Sequence, residues 1–137
     1  MDITKKLDDI LVSLFNSVLK MEENAIKNSS KHNLSITEVH TLAAIGAGKA
    51  KTMTQVAARL KISVSTLTIA INKLVDKRYV NRFRIPEDRR IVKIELTEEG
   101  ACAVREHEEF HRKMIEDVLS ELNEEEQGIL VQSLDNL

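Results

Sequence analysis

Between positions 59 and 93 the chain carries Arg59, Lys61, Lys73, Lys77, Arg78, Arg82, Arg84, Arg89, Arg90 and Lys93 against only Asp76, Glu87 and Asp88. Ten basic groups against three acidic give this segment a net +7, while the rest, with ten basic and nineteen acidic groups, stands at −9. The overall formal charge of −2 therefore hides a strongly basic middle. Clustered cations bind duplex DNA by displacing the counterions condensed on its phosphates. Spread over a solvated surface, the same charges would do nothing of the kind, so their positions decide. Inside the segment, Ser63, Val64, Ser65, Thr66, Thr68, Ile69, Asn72 and Lys73 combine small hydroxyls, two apolar groups, an amide and a cation. Small hydroxyl side chains let a helix approach a groove floor. Asn72 can bond an adenine edge or a phosphate, and Val64 or Ile69 can touch a thymine methyl. Arg82 and Arg84, then Asp88, Arg89 and Arg90, follow on what reads as a hairpin. Arg89 or Arg90 suits the narrow, strongly negative minor groove, unless one of them is spent holding Asp88.

The histidines form a second candidate set. His107 and His111 are four residues apart, so on a helix both rings leave the same face. Together with His40 and Glu22 (or Glu23) they would supply the four ligands of a tetrahedral zinc site. The alternative is that these histidines only make hydrogen bonds where the basic module joins the flanking helices. Catalytic motifs are missing: there is no phosphate-cradling glycine loop, no nucleophile elbow and no HExxH run. Ser, Thr and Asp are accounted for by caps and turns. The expectation is a non-enzyme that requires no cofactor, with zinc as a candidate only.

These groups need elements to position them. Ile3, Leu7, Ile10, Leu11, Leu14 and Val18 have helical spacing, which predicts a helix to about Lys27. A polar stretch, Asn28-Ser29-Ser30-Lys31-His32-Asn33, follows it. Ser35 with Glu38, and Thr52 with Gln55, read as capping boxes that open two helices. The first of these should stop at Gly46 or Gly48. Ser63 caps a third helix whose inner face is Leu67, Ile71, Leu74 and Val75. The turn Lys61-Ile62-Ser63 is so short that the last two helices must cross steeply, as in a helix-turn-helix. The period then changes: Val80 to Ile85 and Ile91 to Leu96 suit strands, joined through the polar turn Pro86-Glu87-Asp88-Arg89-Arg90. Thr97 caps the next helix, followed by Glu98 and Glu99 at its positive end. That helix runs through Val104, Phe110, Met114, Val118 and Leu122. Asn123 with Glu126 opens the last one, with Ile129, Leu130, Leu134 and Leu137 on its apolar side.

The fold class expected is mainly α: a winged helix-turn-helix with N- and C-terminal dimerisation helices. At 137 residues, the chain has the length of one structural domain. Within it, residues 1–34 would form a dimerisation helix, 35–96 the DNA-binding region and 97–137 the C-terminal dimerisation helices. The terminal helices have apolar faces beyond what the winged helix can bury, and a symmetric second copy covers such faces most simply. A homodimer would set two reading helices about one DNA turn apart on a palindromic operator. The one cysteine, Cys102, cannot form an internal disulfide, which suits a reducing, cytoplasmic setting. The charged start after Met1 is unlike a signal peptide, and no apolar run has the length of a membrane span. A helical interaction module without DNA binding is the competing class, and the +7 segment weighs against it.

The runs Val75-Asp76-Lys77-Arg78-Tyr79-Val80, Pro86-Glu87-Asp88-Arg89-Arg90 and Leu96-Thr97-Glu98-Glu99-Gly100 resemble the MarR (multiple antibiotic resistance regulator) family, over nearly the whole chain. The resemblance implies a homodimeric winged-helix regulator, with terminal helices at the dimer interface and a response to small ligands. Arg78-Tyr79 departs from the family's usual glycine before the strand. Ile36 to Leu42 and Phe110 to Met114 resemble the subgroup of fatty-acid-biosynthesis repressors of low-GC Gram-positive bacteria. That implies a repressor with an acylated acyl carrier protein as its corepressor. The histidine spacing is similar to that of zinc-responsive members, which implies a zinc-dependent repressor of metal-uptake genes as the alternative.

Overall fold

The computed structural model describes residues 2–28 and 31–136. Six helices and a small sheet follow in the order α1 (Ile3–Asn28), α2 (Ile36–Ile45), β1 (Lys51–Thr52), α3 (Met53–Leu60), α4 (Val64–Asp76), β2 (Val80–Ile85), β3 (Asp88–Leu96), α5 (Glu98–Ser120) and α6 (Glu124–Asp135). This is the mainly helical winged architecture that the sequence predicts. Ser29 and Ser30 of the expected polar stretch, and Leu137 of the expected last apolar face, lie outside the described residues.

The caps are realised atom by atom. The Ser35 and Thr52 side chains accept from the amides of Glu38 and Gln55, whose own side chains accept in return from the cap amides. Ser63 accepts from the Thr66 amide and Thr97 from the Gly100 amide, while Asn123 and Glu126 form a third complete box. Each cap satisfies helix amides that would otherwise have no partner. The first expected stop also holds: α2 ends at Gly46, whose φ is +73°.

The chain falls into two compact units that meet between Val104 and Arg105. The core lies in the first. Leu42 and Ile45 of α2, Val56 of α3, Leu67, Ile71 and Leu74 of α4, and Ile94 of β3 are fully buried and form one cluster. Burying each such side chain contributes about 2 kcal/mol. In the second unit, Arg112 bridges Glu109 and Glu116 along α5. Gln127 of α6 donates to the carbonyls of Leu119 and Leu122, closing the α5–α6 corner. Among the described residues no helix is long and apolar enough to cross a membrane.

The sheet differs from expectation in two respects. Its strand order is β1-β3-β2, all antiparallel, and β1 has only two residues, too short to leave a periodic signal. Strand β3 starts at Asp88 rather than near Ile91, so Arg89 and Arg90 belong to a strand and the turn is reduced to Pro86 and Glu87. The reason is local. Ile85 pairs with Asp88 after an irregularity at Arg84/Ile85, and Asp88 accepts from the Arg90 amide at 3.0 Å.

One close approach and one left-handed residue shape the passage from α4 into the wing and on to α5. A Cβ on Gly100 would lie 2.3 Å from the Tyr79 carbonyl oxygen, so this position needs glycine. Arg78 sits at φ +68°, in the left-handed region, where an L side chain costs roughly 1–2 kcal/mol. This is the position at which the sequence lacks the expected glycine. Arg78→Gly should therefore raise unfolding free energy by about 1 kcal/mol, somewhat less than the full steric relief because glycine also loosens the unfolded chain. Urea denaturation of the two proteins checks this, and an unchanged or lower midpoint would contradict it.

Candidate nucleic-acid interface

Helix α4 is sharply two-sided. Leu67, Ile71 and Leu74 are fully buried, while Ser63, Val64, Ser65, Thr66, Ile69, Asn72 and Lys73 are exposed and Thr68 is half-buried. Ile69 keeps 63% of its surface in solvent. An apolar side chain that exposed, among hydroxyls and cations, has no role in this chain's own packing. It has the chemistry to meet a thymine methyl.

The wing stands beside this face. Val80, Arg82 and Arg84 alternate with Asn81 and Phe83 along β2, as a strand requires. A groove of about 600 Å³ separates α4 from the wing, and its lining includes Thr54, Val64, Thr68, Arg82, Arg84 and Arg90. Three guanidinium groups around one groove form a strongly positive cleft. The groove also receives Thr52, Met53 and Thr54 from the start of α3. Sequence pattern alone did not single these three out as site residues. The capping threonine was the signal available, because a helix start is a natural site for an anion.

Several polar groups are already committed. Arg82 Nη1 donates to Asn72 Oδ1 at 2.5 Å, so the side chain expected to bond an adenine edge or a phosphate already holds an arginine of the wing. Arg84 Nη1 donates to the Arg89 carbonyl at 2.6 Å and braces the hairpin. Arg90 holds Asp88 through Nε at 3.2 Å and Nη2 at 3.3 Å, which resolves which arginine pairs with the aspartate. Those hydrogen bonds from the Arg90 side chain, and then from its amide, keep the Asp88 carboxyl below its ordinary pKa. The Arg90 side chain nevertheless remains 91% exposed.

Two other basic residues of the +7 segment serve as anchors. Arg59 donates to the Ala44 carbonyl at 3.2 Å, tying α3 to the end of α2. Lys77 Nζ reaches the Asn33 carbonyl at 2.9 Å and both Glu38 oxygens at 3.0 Å, tying the end of α4 to the start of α2. Partial burial works against ionised Glu38, but the Ser35 amide and Lys77 together outweigh it and hold the carboxyl below its ordinary pKa.

The candidate metal ligands divide between the two units. In the first, the His40 Nε2 lies 3.0 Å from the buried Glu22 carboxylate. In the second, the rings of His107 and His111 stand 4.4 Å apart in an edge-to-face arrangement, as the four-residue spacing requires.

A tight two-helix corner followed by a hairpin, with one basic cleft between them, defines a winged helix-turn-helix protein. The chain belongs to the MarR family, whose model matches residues 32–91. It is 37% identical over 100 residues to the HTH-type transcriptional regulator PecS of Dickeya dadantii, covering 71% of this chain and 60% of PecS. It is 34% identical over 88 residues to the uncharacterized HTH-type regulator YpoP of Bacillus subtilis, covering 64% of this chain and 62% of YpoP. The chain thus spans about 60% of the length of these curated relatives. Among solved structures, Streptococcus pneumoniae FabT in complex with DNA superposes with a TM-score of 0.91 at 34% identity, covering 97% of this chain and 93% of that one. These relatives are regulators of transcription or DNA-bound proteins, not enzymes.

Proposed function

We propose that this chain is a sequence-specific DNA-binding transcriptional regulator, a repressor, in which α4 enters the major groove and the β2–β3 wing reaches the adjacent minor groove. The observation that carries the reading is the coincidence of the exposed face of α4, the three-arginine cleft and the wing within one compact unit. The likeness to FabT, solved with DNA, supports it. Ser63, Val64, Ser65, Thr66, Thr68 and Ile69 approach base edges, Lys73, Arg82 and Arg84 meet phosphates, and Arg89 and Arg90 are presented by the wing, with Asp88 orienting Arg90. Fluorescence anisotropy with labelled duplexes tests this. The logarithm of the binding constant should fall linearly with the logarithm of salt concentration. Arg89→Ala and Arg90→Ala should each weaken binding on many sequences alike, and each phosphate interaction removed should reduce the salt slope by about one. Binding that is indifferent to salt, or unchanged in both variants, would refute the docking. A chain that shifts no genomic fragment at moderate salt would instead be an interaction module.

The working form is a homodimer on a palindromic operator. Residues 1–34 and 97–137 supply the association surfaces and residues 35–96 the reading head. Helix α1 exposes Ile3, Leu7, Ile10, Leu11, Leu14 and Phe15, and in the second unit α6 exposes Ile129, Val131 and Leu134. Apolar rows of this kind are covered in a stable protein. Leu14→Asp should shift the chain from dimer to monomer in sedimentation experiments and weaken operator binding sharply, since two linked half-sites become one. A dimer of unchanged stability would remove α1 from the interface.

Control of fatty-acid biosynthesis, with an acylated carrier protein or a small molecule as effector, follows from the resemblance of Ile36 to Leu42 and Phe110 to Met114 to that subgroup. The FabT likeness supports it. Zinc regulation is the second reading. It is favoured by the Glu22–His40 pair and by the juxtaposed His107 and His111, which offer nitrogen and carboxylate ligands of the kind zinc takes. If it holds, zinc added to metal-free protein should tighten DNA binding, and His107→Ala should abolish that response. Unchanged affinity with zinc would leave the lipid reading.

A further inference from the structure

Asn72 is exposed on the third turn of α4, and an asparagine there would ordinarily be assigned to adenine, which it reads with its amide oxygen and nitrogen together. Here the oxygen already accepts from Arg82 Nη1 at 2.5 Å. We propose that Asn72 is a positioning residue: it fixes the Arg82 guanidinium in the cleft between α4 and the wing, where Arg82 meets a DNA phosphate.

The surroundings support this assignment. Arg82 lies on the same face of β2 as Arg84, and both line the cleft with Arg90. Each guanidinium in the cleft has a brace from this chain: Asn72 for Arg82, the Arg89 carbonyl for Arg84, and Asp88 for Arg90. A guanidinium has five N–H donors in a rigid fork. One donor given to Asn72 leaves the others for phosphate oxygens. An arginine on β2 without such a brace would have to be ordered by the DNA itself, at a cost to affinity. A neutral amide suits the task better than a carboxylate, because it aims the cation without cancelling its charge. The Arg82–Asn72 bond also spans from the reading helix to the first strand of the wing, so it sets the distance between the two elements that straddle the backbone.

The proposal rests on the DNA-binding reading, and the test keeps the two apart. Anisotropy is measured over a salt series for wild type, Asn72→Ala, Arg82→Ala and the double variant. Two probes are used: a mixed-sequence 30-base-pair duplex pool, and the best duplex selected from a random library by the wild-type chain. Asn72→Ala keeps a good helix former at an exposed site, so the variant folds. It should lose roughly three- to tenfold in affinity, in line with the net contribution of one ordinary hydrogen bond. The loss should be the same on both probes, with a shallower salt slope. Arg82→Ala should lose more, with the slope reduced by about one. The double variant should match Arg82→Ala, because Asn72 acts only through Arg82. A loss from Asn72→Ala that persists undiminished in the Arg82→Ala background overturns the proposal, as does a loss confined to the selected duplex. Wild-type protein that binds neither probe refutes the DNA-binding reading itself, and the proposal falls with it.

Discussion

The constraint on which this molecule depends is the burial of one stripe of α4. Leu67, Ile71 and Leu74 have no exposed surface, and they share a cluster with α2, α3 and Ile94 of the sheet. A helix fixed by its apolar side has its opposite side fixed as well. Every exposed residue of α4 therefore points in a direction set by the core, and the wing is placed beside it by the same packing. The polar anchors add precision. Lys77 ties the end of α4 to the start of α2, and Arg59 ties α3 to α2. Recognition of a groove needs this kind of rigid presentation, since side chains ordered only on binding lose affinity to the ordering.

The cationic segment turns out to be a mixture of two uses of charge. Some of its members hold the fold together from the inside of corners, and others stand at the cleft. The ones at the cleft are themselves braced, by an amide, a carbonyl and a carboxylate. Summing charge along the chain located the segment but could not divide it, because lysines and arginines in both roles look alike in sequence. Only partners separate them: a carbonyl at 3.2 Å for Arg59, against a 91% exposed side chain for Arg90.

Much of the winged fold was legible because its signals are local. The capping boxes at Ser35, Thr52 and Asn123 each need only four residues, and each forms as its residues predict. The inner face of α4 follows from helical periodicity. What escaped depends on which groups pair, near or far along the chain, rather than on residue type alone. Strand β1 exists only because Lys51 and Thr52 find Ile94 and Lys93 across the fold. The early start of β3 depends on cross-strand pairing at Asp88 and on a bond between Asp88 and Arg90. By its place on a helix Asn72 suits a base, and spacing gives no sign of the side chain ten residues later that occupies its oxygen. The odd Arg78 is a different case: the missing glycine was visible in sequence, and the backbone keeps the glycine-like angle with an arginine in its place.

Thr52 belongs to two elements at once. Its backbone is the second residue of β1, paired with Lys93 of the wing, and its side chain caps α3. The hairpin and the helix before the reading helix are thus joined through a single amino acid, with no slack segment between them. The position of β3 at Lys93 and the position of the first turn of α3 are therefore fixed by one and the same residue.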